Sequence, residues 1–493
     1  MATGSTNIKP FQTLENVLAK VAPGWALKRQ RSRQALNLAR YYEATQPTPH
    51  RRLKGRVDSD PNDIAEASAE YLREEVRYFE RNYDVVAGAL DRLVADVVGN
   101  GIFAEPQVLD IEGNLCDEVN EQIIEIQKDW RKRPEVTRSY DEFESQRLKA
   151  RTLFRDGDYF CQLLPGNIPL LRHSTDLPFS YENLEPDFCP YHFTDPSRRI
   201  FNGIELNRWR QPRAIWVYLE APNSNHRAIS TSDLKRIPIE RVIHGKTAMR
   251  IGQTRGITHF ASTLTRLHDI KDYEESERIA ARISAAVFGS IKRGPQAVFN
   301  GDATPKQYSF MPGTVINDLP SDTEFVLHSA NRPNAQLDRY LDQMQSSASA
   351  GARISHSAFS KQYEGSYSSR RQEAVEQYQI TGMLWGYFVS IDQIPIHETS
   401  VNMALLSGLL DIPSNCDLST LFDAEYSRPA LPQINPRDEV SAIVDEIDAG
   451  ILSRSQAIRS RSRSPYATKK QIKQEQEERQ QTEQPQEDEN LLS

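Results

Sequence analysis

Two successive stretches carry apolar residues at helical spacing. Ile64, Ala67, Leu72, Val76 and Phe79 follow Ser59-Asp60-Pro61, where a capping side chain precedes a proline suited to the first helical turn. After Asn82-Tyr83, the residues Val86, Leu90, Leu93, Val94, Val97 and Val98 share one face, and Gly99-Asn100-Gly101 ends the helix. Further helices are predicted over 116–131 and 140–155. From Gly157 the pattern turns to strands. One covers 159–164 and stops at Pro165-Gly166. A period-2 run over 203–209, the turn Arg210-Gln211-Pro212 and a second run over 214–219 predict a hairpin. Val242-Ile243-His244 is a short strand before the loop Gly252-Gln253-Thr254-Arg255-Gly256.

Residues 262–293 hold no proline and one glycine, Gly289, so a single helix of up to ~48 Å is predicted there. Leu264, Leu267, Ile270, Tyr273, Ile279, Ile283, Val287 and Ile291 mark its apolar stripe. Lys292-Arg293 would close it with charge that suits the helix dipole. A Gly/Pro-punctuated section follows to 331, then a helix over 333–355, a polar loop to about 366 and a helix over 368–391. The last globular part ends near Leu452. The remainder, with Arg459-Ser460-Arg461-Ser462-Arg463-Ser464 and a glutamine-rich end, lacks apolar anchors and is expected to be disordered. Residues 1–58 form an expected arm with a Pro/His/Arg-rich linker.

Composition narrows the function. In 493 residues, 68 acids outweigh 60 bases for a net charge of −8, the wrong sign for a protein that grips nucleic acid tightly overall. Basic residues concentrate locally, nine between Lys28 and Arg56 and seven between Arg454 and Lys473, while seven acids follow Gln474. These read as solvated arms. Only 38% of residues are hydrophobic, which points to a polar tail, extended elements, or surface covered on assembly. Four scattered cysteines without a CxxC predict neither a disulfide framework nor a zinc module, and a reducing cytoplasm is the default home. No apolar run is long enough for a membrane span or a signal peptide.

Motifs for nucleotide, zinc-protease or serine-hydrolase chemistry are missing, and no cofactor is expected. Two carboxylate pairs, Asp156 with Asp158 and Glu185 with Asp187, could hold Mg²⁺ in a nuclease-like site, which keeps a Mg-dependent DNA-processing enzyme as the alternative. Both pairs also fit ordinary turns. His244 and His259 are expected to be structural, and the Arg-Ser tail is too short to define an RNA-binding module. The sequence does not read as an enzyme.

The order of motifs resembles the lambda-like family of phage portal proteins across roughly 70–413. The signature starts at Arg81-Asn82-Tyr83 and Val97-Val98-Gly99-Asn100-Gly101-Ile102. It continues through Asp141-Glu142-Phe143, Arg155-Asp156-Gly157-Asp158, Leu184-Glu185-Pro186-Asp187 and Asn202-Gly203-Ile204-Glu205. Val242-Ile243-His244 and Gly252-Gln253-Thr254-Arg255-Gly256-Ile257 come next, and Tyr367-Ser368-Ser369-Arg370 is the most specific match. Gly365-Ser366 replaces the usual asparagine context, and Gly351-Ala352-Arg353 replaces the common Gly-Val-Pro. The resemblance implies an α+β portal fold: a mixed α/β wing (59–261), stem helices (262–293 and 333–355), a small clip insert (294–332), a channel loop (356–366), wing and crown helices (367–452) and a disordered tail (453–493). It also implies a homo-oligomeric ring of about twelve subunits at one capsid vertex of the virion, assembled in the host bacterial cytoplasm. Terminase large subunit, major capsid protein and a head-tail connector would be its partners. Double-stranded DNA would pass through the hole during packaging and ejection. Lys361, Gln362 and Tyr363 are the expected channel contacts, and Gly99, Gly101, Tyr367, Ser368, Ser369 and Arg370 the structural motif residues.

Overall fold

The computed structural model describes residues 60–220, 222, 233–285, 289–293, 323–327, 337–363, 365–431, 436–461 and 464–483. The N-terminal arm and most of the expected clip lie outside these residues. Helix α1 (Pro61–Asn82) begins where its cap was read: the Asp60 side chain accepts the Asn62 backbone N–H at 2.9 Å. Helix α2 (Asp84–Val97) buries Val86, Leu90, Leu93 and Val97. Each such side chain is worth ~1.5–3 kcal/mol of burial. Strand β1 (Ala104–Pro106), helix α3 (Asp117–Trp130) and helix α4 (Glu142–Asp156) follow, and α4 packs against both α1 and α2.

Strand β2 (Asp158–Pro165) lies between β3 (Phe179–Leu184) and β8 (Val242–Lys246) in an antiparallel sheet of three. Phe160 sits opposite Leu184 on one side and His244 on the other. β2 is central and buried through its first six residues, which explains its continuous apolar run. β4 (Ile200–Phe201), β5 (Ile204–Leu206), β6 (Pro212–Tyr218) and β7 (Leu234–Pro238) form a second antiparallel sheet, whose Ile204, Ile215, Val217 and Ile237 share a small core with Phe160, Leu184 and Val242 of the first.

The long segment departs from its pattern. Helix α5 spans Leu264–Ala285, and Gly289–Arg293 is strand β9, paired antiparallel with β10 (Thr323–Leu327). The single helix expected over 262–293 is therefore two elements. Ser290, Ile291, Lys292 and Arg293 form ladder pairs with the distant strand instead of helical turns. Helix α6 (Leu337–Gly351) packs on α5, with the Tyr273 and Tyr340 rings 4.9 Å apart. The segment expected as a polar loop over 356–366 opens with a short helix, α7 (His356–Ser360), which buries Ala358 and Phe359. Helix α8 (Tyr367–Phe388) runs through a π-helical turn, Val389–Gln393, into helix α9 (Ile394–Leu406).

The chain then returns to β1. Strand β11 (Ala424–Tyr426) pairs with β1, and Cys116 forms a disulfide with Cys416, 300 residues away. The sequence predicts no disulfide framework; this single bond joins cysteines that only the tertiary fold brings together, and Cys161 and Cys189 stay free. Helix α10 (Pro436–Asp448) leads to α11 (Arg454–Arg459) and α12 (Pro465–Glu483). Two segments of the tail expected to be disordered, Arg454–Arg459 and Pro465–Glu483, are thus helical. A capping box at Ser453 and Gln456 starts α11, Ala457 is buried, and Arg459 pairs with Glu105 and Glu425 at 2.9 and 2.6 Å. No helix among the described residues is long and apolar enough to cross a membrane.

Candidate functional site

The expected channel residues and the Tyr-Ser-Ser-Arg motif occupy one turn. Lys361 ends α7 in the left-handed region at φ 60°, and Gln362 N–H donates to Ser360 Oγ at 3.2 Å. Lys361 and Gln362 are exposed, as is Tyr363 (57%). Ser366 caps α8 by accepting the Ser369 N–H, and its hydroxyl contacts Ser368 Oγ at 3.1 Å. Arg370, one turn into α8, reaches back so that its Nη2 donates to the Tyr363 carbonyl at 2.6 Å. Tyr367 stays exposed at 55%. Two residues that the sequence did not flag anchor the turn. Gln377 Oε1 accepts the Ser355 N–H at 2.7 Å, and Glu373 Oε1 accepts the Ser357 N–H at 2.9 Å. Both are capping contacts made from another helix, so no local spacing announces them.

Gly99 and Gly101 shape the exit from α2, both with positive φ. A Cβ on Gly101 would sit 2.1 Å from a Phe143 ring carbon. The first motif and Asp141-Glu142-Phe143 are thus one packing unit, and only glycine leaves room for the ring.

The carboxylate pairs also converge, but onto arginines. Asp156 accepts both Arg77 and Arg155 in two-bond forks, at 3.1 and 2.6 Å and at 2.7 and 2.8 Å. Arg77 bridges onward to Asp187 at 2.8 Å, and Arg73 meets Asp187 at 3.2 Å. Asp158 points elsewhere. It accepts Arg255 Nε, the Gly256 N–H, the Tyr191 hydroxyl at 3.2 Å and His244 Nε2 at 3.4 Å. Burial alone would raise the Asp158 carboxyl, but the Arg255 guanidinium and His244 hold it well below the usual carboxylate range. Burial likewise keeps His244 below its ordinary value despite Asp158, so it donates as a neutral imidazole stacked on Phe160. Gly157, at φ 91°, caps α4, and a Cβ there would lie 2.4 Å from the Ile257 carbonyl carbon.

With Asp156 and Asp158 committed to different guanidiniums, the cluster clamps α1, α4, β2 and the loop after β8 together. Among the described residues no group of three or more His, Cys, Asp or Glu side chains could hold a metal ion. His259 also has a structural partner: its Nε2–H donates to the Ala352 carbonyl at 2.8 Å.

Residues 50–384 match a family model described as phage portal protein, lambda family. A probable portal protein of Halomonas phage phiHAP-1 is 22% identical over 474 residues, covering 91% of this chain and 90% of that protein. Among solved structures, the chain is similar to one in the neck of a native gene transfer agent particle computed with C12 symmetry. The TM-score is 0.43 at 12% identity, over 78% of this chain and 91% of that one. A chain from the virion of the native gene transfer agent gives a TM-score of 0.46 at 11% identity, over 82% and 99%.

Proposed function

The chain belongs to the lambda family of phage portal proteins, structural and non-enzymatic components of the capsid, and from that premise we propose that it forms the ring through which double-stranded DNA enters and leaves the head. The family match over residues 50–384 carries this reading. The element order supports it: α5 and α6 pack together and flank the β9–β10 pair, as a stem bearing a clip would. In this reading residues 59–261 build the wing, the clip receives terminase, and the 367–452 helices extend into wing and crown. Capsid protein and a head-tail connector contact the ring from outside.

The turn at Lys361–Arg370 faces the passing duplex. One lysine per subunit attracts phosphates weakly, because an exposed charge is screened over ~8 Å at physiological salt. A conduit needs that weakness. A ring of about twelve subunits, each at −8, sums to about −100 and repels DNA in the mean. Electron microscopy of the purified chain should show rings with a central hole, and a strictly monomeric species in light scattering at micromolar concentration and varied salt would sink the proposal. Within such rings, Lys361→Ala should change DNA packaging or retention modestly and Lys361→Glu more. Parent-like packaging by both would remove Lys361 from the channel.

A further inference from the structure

The β5–β6 hairpin and the turn before β4 build a surface that neither the core nor the Lys361 turn uses. Asn207 closes the hairpin tip. Its backbone N–H donates to the Gln211 carbonyl at 2.8 Å, and its Oδ1 accepts the N–H groups of Trp209 and Gln211 at 2.8 and 2.9 Å. The tip is therefore preorganised, with Arg208, Trp209 and Arg210 turned to solvent and Trp209 83% exposed. Arg198 and Arg199 come from the neighbouring turn, which backbone bonds between Asp195 and Ile200 close at 2.8 and 2.9 Å. The Leu206 N–H, donating to the Arg199 carbonyl at 3.0 Å, ties the two turns side by side. Arg213 joins them from β6.

Together Arg198, Arg199, Arg208, Trp209 and Arg213 line a concavity of about 420 Å³. Its one lining carboxylate, Glu205, is already held by Arg236 through bonds of 2.8 and 3.0 Å. Among the described residues no carboxylate lies in ion-pair contact with Arg199, Arg208, Arg210 or Arg213. Five exposed arginines on a chain of net charge −8 form a local exception to its sign.

We propose that this face binds the phosphodiester backbone of DNA, at a place separate from the Lys361 turn. Planar guanidinium forks match phosphate oxygens two bonds at a time. An exposed indole among them offers a flat apolar face for a backbone sugar. An acidic protein partner fits less well. Protein interfaces keep an apolar, charge-depleted centre, whereas Leu206 is the one aliphatic side chain lining this concavity. Contacts of this kind fix no sequence and weaken steeply with salt.

The test uses the full chain and a labelled duplex of ~30 base pairs, with binding followed by fluorescence anisotropy across a salt series. Arg208→Ala/Arg213→Ala should weaken binding about tenfold at low salt and lower the slope of log affinity against log salt by about two. Arg208→Lys/Arg213→Lys should keep that slope. Trp209→Ala should weaken binding and leave the slope alone. Lys361→Ala, run alongside, separates this surface from the proposed channel. Failure of the hairpin variants to change binding would leave the ring reading standing on microscopy. The proposal is overturned if the alanine pair binds like the parent with unchanged assembly and melting. It is also overturned if the parent binds polyglutamate as tightly as DNA. Should the pair fail to fold, Arg199→Ala alone decides, with a slope lower by about one as the expected result and an unchanged slope as the refutation.

Discussion

Arg255 has no exposed surface, and its guanidinium satisfies four groups: the Asp158 carboxylate and the carbonyls of Cys189, Asn202 and Pro186. Arg255→Met would strand a buried charged carboxylate, a change that costs ~3–5 kcal/mol where one partner of such a pair is removed. Thermal unfolding should shift down by several degrees, and adding Asp158→Asn should recover part of the loss. A single variant melting with the parent would show that the pair carries no net weight. Buried histidines set a second sensitivity. Burial pushes His259 and His397 down to about 4. His397 Nδ1 accepts Gln127 Nε2 at 3.0 Å, and Gln127 is fixed by Arg131 at its other end. The unfolded chain takes up these protons near pH 6.5 and the folded one only near 4, so between those values the unfolded state binds more protons. Stability from these two groups is fully present above pH 6.5 and is lost as pH falls to 4, on the order of 3 kcal/mol for each. Melting temperature measured across pH 4–7 should fall on the acid side. His397→Gln should flatten that fall, and an unchanged profile would remove His397 from the effect.

At the scale of elements, the C-terminal helices give the sharpest expectation. Removing residues after Leu452 takes away Arg459, which faces Glu105 (7% exposed), and Lys470, which meets Glu121. Glu105 then loses its cation beside the β1–β11 pair. The truncated chain should melt lower than the parent, by the equivalent of ~1.5–3 kcal/mol for a lost hydrogen bond to a charged group. Identical melting curves would return the tail to the status of a passive extension. Its helicity escaped the sequence because the Arg-Ser and glutamine runs carry no periodic apolar face, and what orders α11 is a capping box and an ion pair to a residue 354 positions away. The early helices were legible for the opposite reason: Val86, Leu90, Leu93 and Val97 bury against neighbours at the spacing that announces them. β3 was missed because Phe179 and Tyr181 alternate with Ser180 and Glu182, but Asn183 and Leu184 break the period. β9 was hidden because β-branched Ile291 and flanking cations suit either state, and the distant partner strand decides. At the carboxylate cluster the acids were visible as pairs. Apart from the adjacent Arg155, their arginines were not, because Arg77 reaches Asp156 across 79 residues and Arg255 reaches Asp158 across 97.

Across the whole molecule, the chain folds back so that its late segments lean on its early ones. β11 lies on β1, the Ser427 hydroxyl accepts the Phe103 N–H at 3.0 Å, and Cys416 is bonded to Cys116. Everything between the two cysteines therefore lies within one covalent loop of 300 residues. The loop around Arg250 is exposed, with Met249 at 52% and Ile251 fully open to solvent, and it invites trypsin. A cut there severs the backbone without releasing a fragment. On a denaturing gel the nicked protein should run as one species of full mass, and as two pieces once a thiol reductant is added. A broken subunit would keep both its halves for as long as that sulfur link is left oxidised.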